Sequence, residues 1–282
     1  DAAGNGSITT ADIDNGSNDN CASVSLSLDN TSFDCSNIGA NIVTLTATDN
    51  NGNSSTCQAT VTVQDNINPI AICQNAIVQL DASGNGSITT ADIDNGSNDA
   101  CGIASLALDK TTFDCTNVGT NTVTLTVTDN NGNTATCTAT VTVQDNVNPI
   151  AICQDITIQL DASGNATIAE DAVNNGSSDA CGNLTFDTDI TSFDCNDVGA
   201  NTVTLTVTDD NGNVSTCTAT VTVEDDVNPV AVCQDITIQL DASGNATIAE
   251  DAVNNGSSDA CGNLTFDTDI TSFDCTDVGT NN

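Results

Sequence analysis

The chain has 282 residues and a formal net charge of −38, with 39 acidic side chains against one basic one, Lys110. Nucleic-acid binding and adhesion to anionic membranes both need clustered Lys or Arg, so this balance excludes them. There is no His, which removes Ser–His–Asp chemistry and His-ligated zinc. No apolar run is long enough to span a bilayer.

Of the acids, 36 are Asp and only Glu170, Glu224 and Glu250 are Glu. Asp favours turns where Glu favours helices, and the apolar residues are mostly Val, Ile, Leu and Ala interleaved with Thr. Fourteen Cys at regular spacing indicate disulfides formed in an oxidising compartment. The composition predicts a secreted, extracellular, all-β protein.

The chain repeats itself every 80 residues. Asp1, Asp81, Asp161 and Asp241 open the phrases DAAGNG, DASGNG, DASGNA and DASGNA, and residues 155–195 and 235–275 are identical. That period is too long for a solenoid coil and suits a small domain. Pro69, Pro149 and Pro229 each follow an Asp/Asn-rich tetrapeptide, and proline interrupts strand pairing. The expected modules are therefore 1–67, lacking its first strand, 68–147 and 148–227, both complete, and 228–282, lacking its last strands. A sequence that opens and closes inside a module reads as a window from a longer repetitive polypeptide.

The elements of module 68–147 follow in order. PIAICQ and NAIVQL form a split first strand, DASGNG a turn and SITT a short strand. ADIDNGSNDACG is a long polar loop. IASLALD is a strand, DKTT a turn and TFDC a short strand. NTVTLTVTD alternates cleanly, placing Val123, Leu125 and Val127 on one face and Thr on the other. DNNGN is a hairpin turn, and TATCTATVTVQ closes the module. About seven short strands in this length predict tandem immunoglobulin-like β-sandwich modules, arranged as beads on a string. A core this small is marginal alone, so disulfides are expected to supplement it.

Each complete module has four Cys, and in an immunoglobulin-like sandwich the first and last strands run parallel. This predicts Cys73–Cys137 and Cys153–Cys217. A hairpin turning near Asp109 predicts Cys101–Cys115, and by repetition Cys21–Cys35, Cys181–Cys195 and Cys261–Cys275. Cys57 and Cys233 then find partners outside this window. The rival Cys57–Cys73 is disfavoured, because sixteen extended residues span about 50 Å. No CxxC spacing supports a metal–thiolate site.

The phrase TDNNGNTATCTATVTVQDNVNPIAICQ, with DACG upstream, resembles hyalin-repeat (HYR) modules. It also resembles the disulfide-rich tandem version in very long cell-surface proteins of Bacteroidetes, the flavobacterial gliding-motility adhesin among them. The resemblance covers the whole chain and implies immunoglobulin-like extracellular domains that serve as spacers, adhesive arms or filaments. Many family members begin with Pro-Pro and follow the first Cys with Pro, whereas this chain has Asn-Pro and Gln.

Six Asp recur in each copy that contains them, in the second at Asp81, Asp99, Asp109, Asp114, Asp129 and Asp145. One reading makes them turn formers that cap local backbone N–H groups. The other is calcium, which takes six to eight hard oxygens. The linker could supply them from Asp65, Asn66 and Asn68; Asp145, Asn146 and Asn148; or Asp225, Asp226 and Asn228. The long loop could supply them from Asp92, Asp94 and Asp99, with Asp12, Asp14 and Asp19 in the first copy. In the later copies the loop acids move to Glu170, Asp171 and Asp179, and to Glu250, Asp251 and Asp259.

The function expected is a structural segment of an extracellular filament or stalk, serving adhesion or cell-surface extension. Its partners are neighbouring modules or copies. The alternative is an adhesin whose loops bind surface glycans by avidity. No enzyme is expected: paired carboxylates exist, but aromatic residues are 2% and provide no platform for a sugar.

Overall fold

Alternating Thr and apolar residues set the architecture. In the computed structural model, which describes residues 1–21 and 23–280, the segment Gly119–Asp129 is an eleven-residue strand. Ala22, Asn281 and Asn282 fall within the first and last expected modules and lie outside the described residues. The protein is all-β, and its strands form sandwich-like sheets. It divides into two units, Asp1–Asn146 and Val147–Asn282.

In the first unit the first repeat contains β1 (Gly6–Ser7), helix α1 (Thr10–Ile13), β2 (Ser25–Leu28), β3 (Ser32–Phe33), β4 (Gly39–Thr48) and β5 (Ser54–Val63). The second contains β6 (Ala76–Gln79), β7 (Asn85–Ser87), helix α2 (Thr90–Ile93), β8 (Ile103–Leu108), β9 (Thr112–Asp114), β10 (Gly119–Asp129) and β11 (Thr134–Gln144). The main sheet of the second repeat has the order β6-β11-β10-β8, with β7-β9 as a separate pair. β10 and β11 are an antiparallel hairpin, and β6 joins β11 in parallel, Ala76 beside Val141 through Gln79 beside Gln144. In the first repeat the sheet is β2-β4-β5, and no described strand pairs with β5 on its outer edge.

The core lies on one face of the main sheet. Val123, Leu125, Val127, Val141 and Val143 are buried on that face, with Phe113, Leu80, Ile88 and Ile93 beside them. The Thr residues between them turn outward, as a period-two strand requires. Fully burying a Val or Leu side chain stabilises by about 1.5–3 kcal/mol, which makes this row the main apolar contribution.

The second unit repeats the plan. β12 (Ile156–Gln159), β13 (Asn165–Thr167), β14 (Leu184–Thr188), β15 (Ser192–Asp194), β16 (Gly199–Asp209) and β17 (Val214–Glu224) match β6 to β11 in order. The sheet β12-β17-β16-β14 has the same topology, and its core is Leu160, Val173, Phe193, Val203, Leu205, Val207, Ala219, Val221 and Val223. The last repeat adds β18 (Ala246–Thr247) and β19 (Ser272–Phe273).

Two expectations change. A helical turn, α2, takes the last Thr of SITT and the start of the polar loop, because Thr89 and Asp92 cap it reciprocally and Ile93 plugs the core. Residues 101–115 are not a hairpin. β8 pairs with β10, from Leu108 beside Leu125 to Ile103 beside Asp129. β9 instead pairs with β7, Asn85 beside Asp114. The chain leaves the main sheet at Asp109, so Cys101 and Cys115 lie at opposite ends of β8 and its continuation.

Candidate functional site

That change of sheet decides the disulfides. The structure joins Cys73 to Cys137 and Cys153 to Cys217, each pair with Cα atoms 5.8 Å apart. The parallel approach of β6 to β11, and of β12 to β17, brings these pairs together. The hairpin pairings are not formed. Cys35 is bonded to Cys101 and Cys195 to Cys261, which replaces Cys21–Cys35, Cys101–Cys115, Cys181–Cys195 and Cys261–Cys275. Cys115 and Cys181 are also disulfide-bonded. Cys21, Cys57, Cys233 and Cys275 are exposed free thiols.

The Cys35–Cys101 bond crosses from the first repeat to the second within one unit. A turn glycine makes room for it. Gly4 has φ +74°, and a Cβ placed there would meet Cys35 Sγ at 2.6 Å and Ala100 Cβ at 3.3 Å. Gly164 stands in the same relation to Cys195 and Cys261, at 2.5 and 3.0 Å. The repeated DASGN phrase therefore needs its glycine both for a left-handed turn and for sulfur to approach the backbone.

Beside the Cys35–Cys101 bond two carboxylates converge. Asp65 from the linker and Asp99 from the long loop place oxygens within 4.8 Å of each other and of Cys101 Sγ. The sulfur is already in a disulfide, so the groups that could ligate a cation here are the two acids. Asp65 Oδ1 accepts the Ile67 N–H at 3.0 Å, while its Oδ2 is buried without a hydrogen-bond partner. Asp99 Oδ1 accepts the Cys101 N–H at 2.8 Å. Asn133 Nδ2 donates to both the Asp65 carbonyl (3.2 Å) and Asp129 Oδ2 (2.7 Å), tying the linker to the β10–β11 turn. A buried carboxylate oxygen with no donor suits a hard cation, whose remaining ligands would be backbone oxygens or water.

The other acids cap. Asp129 is 1% exposed, and its Oδ1 accepts the Asn131 and Asn133 N–H groups at 2.8 Å. Burial pushes its carboxyl up, but the donors from Asn133, Asn131 and Gly132 outweigh this and hold it below the ordinary range. Asp92 Oδ2 accepts from the Thr89 N–H and hydroxyl, which lower its pKa in that order. Asp94 Oδ1 accepts the Ser97 N–H at 3.0 Å. Asp109 Oδ1 accepts the Thr124 N–H at 2.8 Å, and Asp81 Oδ1 the Ser83 N–H at 2.8 Å.

The structure thus merges one residue from each sequence cluster, Asp65 and Asp99, and leaves Asp92 and Asp94 in local turns. Asn66 and Asn68 are exposed, as are Asn148, Asp226 and Asn228. Asn146 Nδ2 donates to Gln79 Oε1 at 2.6 Å, and Asp225 Oδ1 accepts the Val227 N–H at 3.1 Å. Asp145 is 6% exposed. Asn133 was not singled out in sequence. Its position four residues after Asp129 in DNNGN was the available signal.

Residues 64–143 match the HYR domain family model. The matched stretch begins at Gln64, directly after β5, and ends at Val143, one residue short of the end of β11, so the match is one 80-residue period long. No curated protein matches the chain. Among solved structures it is similar to protocadherin gamma B7 extracellular cadherin domains 1–4, at 12% identity over 80% of this chain and 73% of that one, TM-score 0.35. It is also similar to mouse cadherin-23 EC22–24, at 14% identity over 72% and 86%, TM-score 0.33. A third is the protocadherin gammaB4 extracellular domain, at 16% identity over 84% and 48%, TM-score 0.33; this chain spans about half of that one. No helix among the described residues is long and apolar enough to cross a membrane.

Proposed function

We propose that the chain is a structural segment of a long extracellular stalk or filament, built from HYR-like immunoglobulin-type repeats and serving adhesion or cell-surface extension. The observation that carries this reading is the Cys35–Cys101 bond, which ties one repeat to the next. A recognition domain needs no such tie, whereas a stalk gains continuity and resistance to proteolysis from it. The charge of −38 keeps neighbouring stalks apart in solution. The same reading places the segment on a bacterial surface, as in the long proteins its repeat phrase resembles.

Within this proposal, Asp65 and Asp99 hold a divalent cation, calcium being the hard cation suited to carboxylate and carbonyl oxygens. It neutralises the acids crowded at the joint and stiffens the passage from one repeat to the next.

Array binding tests the stalk reading against the adhesin reading. The chain, immobilised in calcium, is expected to show no saturable binding to glycans or surface proteins. A saturable ligand that persists at high salt would move the function to recognition by the module loops.

A further inference from the structure

We propose that, under tension, the oxidised chain carries load through its disulfides and linkers and cannot lengthen by unfolding its sandwiches. The inference rests on the stalk reading and adds a mechanical property to it.

Cys73 stands at the entrance of the second repeat, five residues after Asn68, and is bonded to Cys137 in its last long strand, 64 residues on. Cys153 and Cys217 repeat the arrangement with the same separation. Sixteen residues, including Pro149, lead from Cys137 to Cys153. A pull arriving from the linker at Asn68 therefore reaches Cys73, crosses to Cys137, follows the end of β11 and the linker to Cys153, and crosses again to Cys217. Residues 74–136 and 154–216 are loops hanging off this path.

The strand directions fit this role. β6 and β11 are parallel neighbours, and so are β12 and β17. A pull on the chain before β6 and another on the chain after β11 would act in opposite senses along adjacent strands, which is shear. Cys73 precedes β6 and is bonded to Cys137 inside β11, so the disulfide takes this pull before it reaches the β6–β11 ladder. The stretch of β11 beyond Cys137 does lie on the path. It is already an extended strand, so detaching it from the sheet adds almost no length.

From Asn68 to Asn228 the disulfide route contains thirty-two residues, against 160 along the backbone. At about 3.6 Å per residue the oxidised segment has a ceiling near 130 Å and the reduced segment one near 580 Å. Any further disulfide can only lower the oxidised ceiling.

The experiment is single-molecule stretching of the full chain in optical tweezers, with handles on the exposed side chains at positions 68 and 228. The oxidised chain is expected to stop below about 130 Å. A dithiol reductant transfers two electrons and two protons to each protein disulfide, is itself oxidised to its cyclic disulfide, and raises the ceiling to roughly 580 Å. The double substitution C73A/C137A is expected to raise the oxidised ceiling by roughly 200 Å whether or not that repeat still folds, because the ceiling depends on covalent bonds alone. Oxidised extension past the ceiling, or no response to reductant, would overturn the inference. A chain that obeys the ceiling yet binds a saturable ligand would keep this inference while losing the stalk reading.

Discussion

Cys35 is bonded to Cys101, 66 residues downstream, with Pro69 between them in sequence. The bond makes the border between two repeats a closed covalent loop. A protease that cuts the linker near Asp65 is expected to leave the two repeats attached until a reductant is added. C101A should release them under non-reducing electrophoresis. In the chain-entropy model this loop contributes about 4 kcal/mol, so the variant should also melt at a lower temperature.

The turn glycines are predicted to be required for that class of bond. G164A places a Cβ where Cys195 Sγ now lies and forces a side chain into left-handed backbone. Free-thiol titration of the oxidised protein should then show extra reactive thiol from Cys195 and Cys261. G176A is the control: its Cβ meets open space and its φ is also positive, so it carries the backbone strain without the sulfur contact.

Much of this architecture is legible in sequence. The alternation through 121–129 and 134–144, with DNNGN between, gives the β10–β11 hairpin and its buried face, because one strand's periodicity is a local property. The parallel placement of the first strand beside the last gave a rule for Cys73 and Cys137. The partner of Cys101 was not legible, because it depends on the chain changing sheets at Asp109. Asp109 keeps the last hold on the main sheet, its carboxylate accepting the N–H of Thr124, fifteen residues away. Helix α2 was hidden because TADI is only four residues long, too short for a helical period to show. The Asp65–Asp99 pairing was split between two clusters, since nothing local in sequence joins the two residues.

Asp129 is the cap whose loss should cost most. It is buried and accepts three hydrogen bonds in the β10–β11 turn. D129A leaves the Asn131 and Asn133 donors unpaired and is expected to destabilise by about 2–3 kcal/mol in urea unfolding. D114A at the exposed Thr116 cap should matter much less.

Stability should fall in acid. Asp129, Asp209, Asp92, Asp94 and Asp114 all have folded-state pKa values held below the ordinary carboxylate value. A depressed carboxyl stabilises the fold fully above its unfolded pKa, and this is lost as pH falls through the folded one. Melting temperature should therefore be level above about pH 5 and drop below about pH 4. Self-repulsion among the remaining acids acts the other way and weakens in salt, so the acid loss should be clearest at high ionic strength.

Calcium should raise the melting temperature and EDTA should reverse it. At a hundredfold excess over Kd a single site contributes about 2.7 kcal/mol. D65N should abolish the calcium response, whereas D92N, at a residue engaged in capping α2, should leave it in place. An unchanged melting curve in excess EDTA removes the cation from the account.

Non-reducing peptide mapping decides whether successive repeats are joined by disulfides. Cleavage before Asp releases residues 34–48, holding Cys35, residues 99–108, holding Cys101, and residues 19–28, holding Cys21. The account predicts that 34–48 is recovered linked to 99–108 and separates from it on reduction. Recovery of 34–48 linked to 19–28 would restore the hairpin pairing and contradict the account.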